Sequence, residues 1–228
     1  MILDNLKEPD KIKISLYNEL LKQLNNDQFI VPEVFLGKAI ADLLVVNGDI
    51  HIYEIKSKND SLSRLEHQLI RYKQCANKVT LVVDQKFITK LDNLPIMDNV
   101  GIILVDEKYR LKNIQPSISS EIEKQSYFAY WSPIELRETL RGFPGWYKLS
   151  SYDACLKLEE TLTKDEVRRL TLFRLREKYI KEFIKRVELI KSKKYADALK
   201  KRFDENMNSL NITPLKNIPY SVFRDFGR

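Results

Sequence analysis

The feature that most constrains the fold is a pair of apolar segments joined by Asn47-Gly48. Segments 39–46 and 50–57 are rich in branched apolar residues, and an Asn-Gly pair between two such segments is typical of a β-hairpin. Each segment also carries one acid in apolar surroundings, Asp42 in the first and Glu54 in the second. An unpaired carboxylate is costly there, so we interpret the two acids as functional.

The length of the hairpin turn decides whether the two acids can act together. A two-residue turn would place Asp42 and Glu54 on opposite faces of the sheet, because side chains alternate along a strand. A three-residue turn, or a bulge at Gly48, pairs Val46 with Ile50. Asp42 then lies opposite Glu54, and Lys56 shares their face. Shared chemistry requires this second register, which we therefore predict.

The flanking segments predict a mixed α/β core. Their periodicity indicates two helices and three further strands, namely a helix over 12–24, a strand over 29–36, a helix from Ser61 to Cys75, and strands over 79–84 and 101–106. The helix between the strands ending at Ser57 and beginning at Val79 requires a crossover connection. We therefore expect a mixed sheet flanked by helices.

The character of the chain changes after a polar stretch, 109–126, which we interpret as a linker or an irregular excursion. Ser132-Pro133 and the capping box from Thr163 to Glu166 indicate helix starts beyond it. The sequence therefore predicts a core over 1–110 and a mostly α-helical region over 127–228.

Charge and cysteine usage narrow the class of protein. The chain has 228 residues and a net charge of +7, and the segment from Ile134 onward holds 22 Lys and Arg against 14 Asp and Glu. This surplus favours a flank that neutralises phosphates, although a solvated helical surface is the simpler alternative. Cys75 and Cys155 form no Cys-x-x-Cys pair, and no apolar run is long enough for a membrane span. We expect a cytoplasmic protein without a zinc site.

Two carboxylates beside a lysine suit metal-dependent phosphodiester hydrolysis. Mg²⁺ prefers oxygen ligands, which Asp42, Glu54 and the main-chain carbonyl of Ile55 could supply. Lys56 could hold the attacking water or stabilise charge on the phosphate. Glu33, near the start of the first strand, is a further candidate ligand, with a surface carboxylate as an equal alternative.

These motifs resemble the PD-(D/E)xK nuclease superfamily, which carries an acid and a Glu-x-Lys on adjacent strands. Gln68-x-x-x-Tyr72 resembles the helix motif of its RecB-like branch, and segments 37–42, 53–57 and 131–135 resemble a family of small bacterial proteins with this core. The resemblance implies a restriction-endonuclease-like fold, with Asp42 and Glu54 as metal ligands and Lys56 as the catalytic lysine. It also implies Mg²⁺, with Mn²⁺ substituting. Where that family carries Arg, this chain has Ile40, with Lys38 nearby.

Several other residues have two interpretations. Glu19 resembles the helix acid of some superfamily branches, but a residue outside the site is the favoured alternative. His51 and His67 could be general bases, but His51 falls on the face opposite Glu54, and His67 is more often a solvated helix residue. The aromatic cluster could stack on bases or pack in an interior; it consists of Tyr127, Phe128, Tyr130, Trp131 and Trp146.

The sequence thus predicts a Mg²⁺-dependent endo- or exodeoxyribonuclease of defence or DNA repair, with RNA as the second choice of substrate. One alternative is a non-cleaving nucleic-acid-binding module of the same fold. Another is a nuclease subunit that is active only with a partner. That partner would be a second copy of the chain, in a homodimer, or another protein.

Overall fold

A computed structural model divides the chain into two compact units. The sheet unit comprises residues 1–121 and 181–203, and the helical unit comprises residues 122–180 and 204–228. The structure describes residues 5–25, 27–91, 97–200 and 212–225.

The sheet unit is built on a six-stranded mixed sheet whose strands follow one another in chain order. The strands are β1 (Phe29–Phe35), β2 (Ile40–Val46), β3 (Ile50–Lys56), β4 (Lys78–Asp84), β5 (Gly101–Val105) and β6 (Leu111–Gln115). β1, β2 and β3 pair antiparallel, β3, β4 and β5 pair parallel, and β6 is antiparallel to β5. The expected mixed α/β class, with helices in the C-terminal region, is confirmed.

The hairpin between β2 and β3 has the register that joint use of the acids requires. Val46 pairs with Ile50 and Leu43 with Tyr53, so the turn contains three residues, Asn47-Gly48-Asp49. Gly48 takes a positive φ of +93°, a conformation that side chains with a Cβ rarely adopt. Continuing the register by one pair places Asp42 opposite Glu54.

Two helices cover opposite faces of the sheet. α1 (Glu8–Leu21) packs Leu16 and Leu20 into an apolar cluster with Tyr53 and Ile55 of β3. α2 (Leu65–Cys75) belongs to the crossover between β3 and β4 and contacts Glu54, whose side chain points away from Tyr53 and Ile55.

Further helices complete the description. α3 (Ile88–Leu91) follows β4. α4 (Pro133–Thr139), α5 (Ser151–Thr161), α6 (Lys164–Lys191), α7 (Tyr195–Ala198) and α8 (Tyr220–Asp225) lie in the C-terminal half of the chain. None of the helices in the described ranges has an apolar stretch long enough to cross a bilayer.

The end of α6 and α7 pack with the sheet unit. Ile190 and Ala198 join the apolar cluster around α1, and the rings of Phe29 and Phe183 lie 6.4 Å apart. The buried guanidinium of Arg186 donates hydrogen bonds to the carbonyls of Ala198 and Lys200. Residues 181–200 carry seven Lys and Arg against three Asp and Glu, so part of the basic surplus predicted for a separate helical region belongs with the sheet.

The stretch 109–126, predicted as a linker or an irregular excursion, is not a simple linker. It contains β6 and the start of a 3₁₀-helix, Lys124–Tyr130. β6 is an edge strand with four of its five residues exposed, and it has no apolar alternation for a sequence pattern to detect.

The helices of the helical unit begin where the sequence predicted. Ser132 and Glu135 form a reciprocal capping box at α4, and Thr163 and Glu166 cap α6 in the same way. Tyr127, Phe128, Tyr130 and Trp131 are buried, and the Trp131 Nε1 donates to the Thr171 hydroxyl at 3.0 Å. These four aromatics therefore form interior packing and are not available to stack on bases.

His51 lies on the α1 face of the sheet, away from Glu54. Its Nε2 lies 2.8 Å from the Thr80 hydroxyl, and its ring stacks on Tyr53 with 4.1 Å between centroids. Burial, with a smaller effect of the Lys78 charge, lowers the pKa of His51 to about 3.

We predict that His51 makes the fold acid-sensitive. Below the ordinary histidine pKa of about 6.5, the unfolded chain binds a proton that folded His51 does not, so stability falls as pH drops towards 3. Between pH 7 and 5.5 this costs about 1 kcal/mol. In urea unfolding at several pH values, His51→Gln should lose about 1 kcal/mol less stability than the parent over this pH range. His67→Gln, which changes the exposed histidine of α2, serves as the control and should retain the parent's pH dependence.

Candidate functional site

The buried carboxylate of Glu54 is the centre of a closed hydrogen-bond network. Its Oε1 accepts from Lys56 Nζ at 2.8 Å and from Gln68 Nε2 at 2.7 Å. Its Oε2 accepts from the Tyr72 hydroxyl at 2.7 Å. Lys56 Nζ also donates to Gln68 Oε1 at 2.8 Å. β3 thus supplies the acid and the cation, and α2 supplies the amide and the phenol one helical turn apart.

Tyr72 has two acceptors for one hydroxyl hydrogen. Its oxygen lies 2.7 Å from Glu54 Oε2 and 2.7 Å from the Ile40 carbonyl oxygen of β2. Burial, followed by the charge of Glu54, raises the pKa of Tyr72 far above its ordinary value. The phenol therefore stays protonated and can direct its hydrogen to either acceptor.

Asp42 lies in the gap where β2 and β3 diverge. Its Oδ2 accepts from the backbone N–H of Ile55 at 2.8 Å, and its Oδ1 lies 3.9 Å from Lys13 Nζ. Because the N–H and C=O of one strand residue point to the same edge, the Ile55 carbonyl faces the same gap. Burial, followed by the charge of Glu54, raises the pKa of Asp42 to about 6, against the opposing effect of Lys13.

Glu33 approaches this group from β1. Its Oε1 lies 3.4 Å from Lys13 Nζ, so Lys13 contacts both Glu33 and Asp42. The backbone of Glu33 takes a positive φ of +54°, which is uncommon for a residue with a side chain. The structure therefore brings the further candidate acid close to Asp42 through a shared lysine.

Asp42, Glu54, Lys56 and Gln68 line an open cleft of about 860 Å³. Its lining includes the acids Asp42, Glu54 and Asp60 and the cations Lys38, Lys56, Arg64 and Arg71. The cleft therefore presents both acids that could hold a cation and cations that could face a polyanion.

Asp42 and Glu54 are the candidate ligands for one hard cation that would keep part of its water shell. Within the described ranges, no three His, Cys, Asp or Glu side chains converge in a way that could hold a metal ion. Asp42 and Glu54 nevertheless supply carboxylate oxygens, and Mg²⁺ is commonly held by one or two carboxylates with water completing the shell. Lys13 Nζ lies too far from Asp42 Oδ1 for a hydrogen bond, which leaves that oxygen accessible to a ligand.

Other candidate residues lie apart from this network. Glu19 is exposed, pairs with Lys22 at 2.7 Å and does not line the cleft. His67 lines the cleft but is exposed and outside the Glu54 network. His51 lies on the opposite face of the sheet, as expected.

Sequence reasoning missed two basic residues that shape the site. Lys13 is only 7% exposed although it lies on the helix that packs against the sheet, and a lysine beside the apolar stripe of α1 was the available signal. Arg71 donates from Nε to the Leu36 carbonyl at 2.7 Å and so fixes α2 to the β1–β2 loop. No sequence pattern indicated that contact.

Comparison with known proteins gives a family and two similar proteins. A curated relative, "Protein cII" of Enterobacteria phage P4, is 28% identical over 182 residues, covering 76% of this chain and 69% of the relative. A solved protein of unknown function from Silicibacter pomeroyi aligns with a TM-score of 0.42 at 17% identity, over 54% of this chain and 80% of that one. The family model described as Bacteriophage P4 protein cII matches residues 2–217, and the chain therefore belongs to that family.

Proposed function

We propose that the protein is a Mg²⁺-dependent nuclease that hydrolyses phosphodiester bonds of DNA. The observation that supports this most is the convergence of Asp42, Glu54 and Lys56 on one cleft, with Gln68 and Tyr72 bonded to the same carboxylate. The free thiols of Cys75 and Cys155 are compatible with a reducing cytoplasm as its location.

In this proposal Asp42, Glu54 and the Ile55 carbonyl would hold the cation, and Glu33, which shares Lys13 with Asp42, is the candidate for a further acid of the site. A bound Mg²⁺ would activate water and offset charge on the phosphate. Glu54 can release one oxygen for this role because Tyr72 has the Ile40 carbonyl as an alternative acceptor at 2.7 Å. The hydroxyl then remains hydrogen-bonded, and no buried donor is left without a partner.

Lys56 is the proposed catalytic cation. An ammonium group has three N–H donors, and two of them are used by Glu54 and Gln68. The third can be donated to the attacking water or to a phosphate oxygen. Because Glu54 and Gln68 fix the position of Nζ, that donor needs little reorganisation when charge develops on the phosphate.

A second function has its own support. Both oxygens of Glu54 already accept hydrogen bonds, and the described residues contain no three-ligand cluster. These observations favour a module that binds nucleic acid without cutting it, or a nuclease completed by a partner protein or a second copy. Such a module would bind with strong salt dependence and yield no metal-dependent product.

We predict that Mn²⁺ or Mg²⁺ raises the melting temperature of the protein through Asp42. At ten times the dissociation constant, binding to the folded state alone adds about 1.4 kcal/mol, or roughly 3–6 °C. Asp42→Asn should abolish this rise, yet it should melt no lower than the parent in EDTA because it removes a charge facing Glu54. The control Glu19→Gln, which changes an acid outside the cleft, should retain the full rise. An equal rise in Asp42→Asn would exclude the proposed ligand.

We predict metal-dependent cleavage that requires Lys56. Purified protein should cut DNA with Mg²⁺ or Mn²⁺ but not with EDTA; plasmid, linear and single-stranded DNA and RNA are tested in parallel. Lys56→Met and Glu54→Gln should lower the rate by about 100-fold or more, because each removes a group that acts on the developing charge. Lys22→Met, an exposed lysine outside the cleft, should cleave like the parent. If both site variants cleave as fast as the parent, the activity does not come from this site.

A further inference from the structure

An exposed apolar pair lies beside the acids in the same cleft. Phe35 at the end of β1 and Ile40 at the start of β2 are direct cross-strand partners, and their exposed fractions are 64% and 52%. Ile70 of α2, 44% exposed, lines the same cleft. Directly opposed side chains in an antiparallel pair have Cβ atoms about 5 Å apart, so Phe35 and Ile40 form one continuous surface.

The position of this pair is fixed relative to the acids. Ile40 lies two residues before Asp42 on the same face of β2, a distance of about 7 Å along the strand. Arg71 bonds the Leu36 carbonyl and the Tyr72 hydroxyl bonds the Ile40 carbonyl, so α2 holds both ends of the β1–β2 loop. The apolar surface is therefore preorganised next to the acids.

Two exposed cations line the same cleft as the apolar pair. Lys38, in the loop between Phe35 and Ile40, and Arg64, just before α2, both line the cleft and are exposed. Within the described part of the chain neither takes part in an ion pair. An apolar platform flanked by unneutralised cations fits a ligand that has a flat ring and an anionic backbone.

We propose that Phe35 and Ile40 are a stacking platform for an unpaired nucleobase next to the phosphate at Asp42 and Glu54, so that the substrate is single-stranded DNA or a frayed end. This inference rests on the proposed function. A base inside a duplex is stacked on both faces and cannot cover an aromatic side chain unless it leaves the stack. The cleft, at about 860 Å³, lies in the size range of pockets that hold one small ligand, which suits a single base with its phosphate.

Binding in EDTA tests this inference separately from cleavage. Fluorescence anisotropy of a labelled single-stranded oligonucleotide, its duplex, and the same strand with abasic sites is measured for the full-length protein. Phe35→Ala should weaken single-strand binding about fivefold or more, the lower range for loss of one base–aromatic stack, and leave duplex binding unchanged. Phe35→Trp should retain binding, and Phe35→Leu should lose most of it. Ile114→Ala, an exposed apolar residue of β6, is the matched control and should bind like the parent.

The outcomes separate the two proposals. Single-strand binding that depends on Phe35, without any metal-dependent product, supports the platform and contradicts the nuclease. Cleavage that requires Lys56 but proceeds equally in Phe35→Ala on single and double strands supports the nuclease and overturns the platform. Equal affinity for intact and abasic strands also overturns the platform. A dimer would also overturn the platform if light scattering shows that Phe35→Ala dissociates it without any change in DNA binding. The apolar pair would then be an interface between copies.

Discussion

The burial of the Glu54 carboxylate is the constraint on which this side of the sheet depends. A charged group that is only 3% exposed is costly unless it is paired and hydrogen-bonded. Lys56, Gln68 and Tyr72 together satisfy both oxygens, and two of these residues come from α2. The acid therefore helps to determine how α2 sits on the sheet, and through Tyr72 and the Ile40 carbonyl the same network also holds the start of β2. Fold and site share the same few contacts.

Most of the sheet could be predicted from the sequence because the patterns that indicate strands and turns are local. The turn at Gly48 and the capping residues of α4 and α6 follow from short patterns. The register that pairs Val46 with Ile50 was predicted from the requirement that Asp42 and Glu54 share one face. β6 was missed because an exposed edge strand has no apolar period. Lys13 was missed because its partners, Glu33 and Asp42, lie on strands far from it along the chain. Long-range contacts of polar side chains leave little trace in a single sequence.

The distribution of positive charge shows the same limit. Counting along the chain assigned the basic surplus to a helical region after Ile134. Residues 181–200 instead pack with the sheet unit, because Ile190 and Ala198 complete the apolar cluster around α1. The periodicity of α6 predicts that a helix is there, but it cannot tell which core the last turns of a 28-residue helix join. Charge per unit is therefore a property of the tertiary structure.

The three-residue turn Asn47-Gly48-Asp49 carries a consequence for how such a chain can vary in length. Exposed turns between strands usually tolerate insertions and deletions, because few contacts depend on them. Here a deletion of one residue would slip β2 against β3 and move Asp42 to the face covered by α1, among Leu16 and Tyr53. A length change at the surface would thus remove the carboxylate pair without altering either carboxylate. Variation in this lineage should therefore substitute residues at the turn far more readily than it adds or removes them.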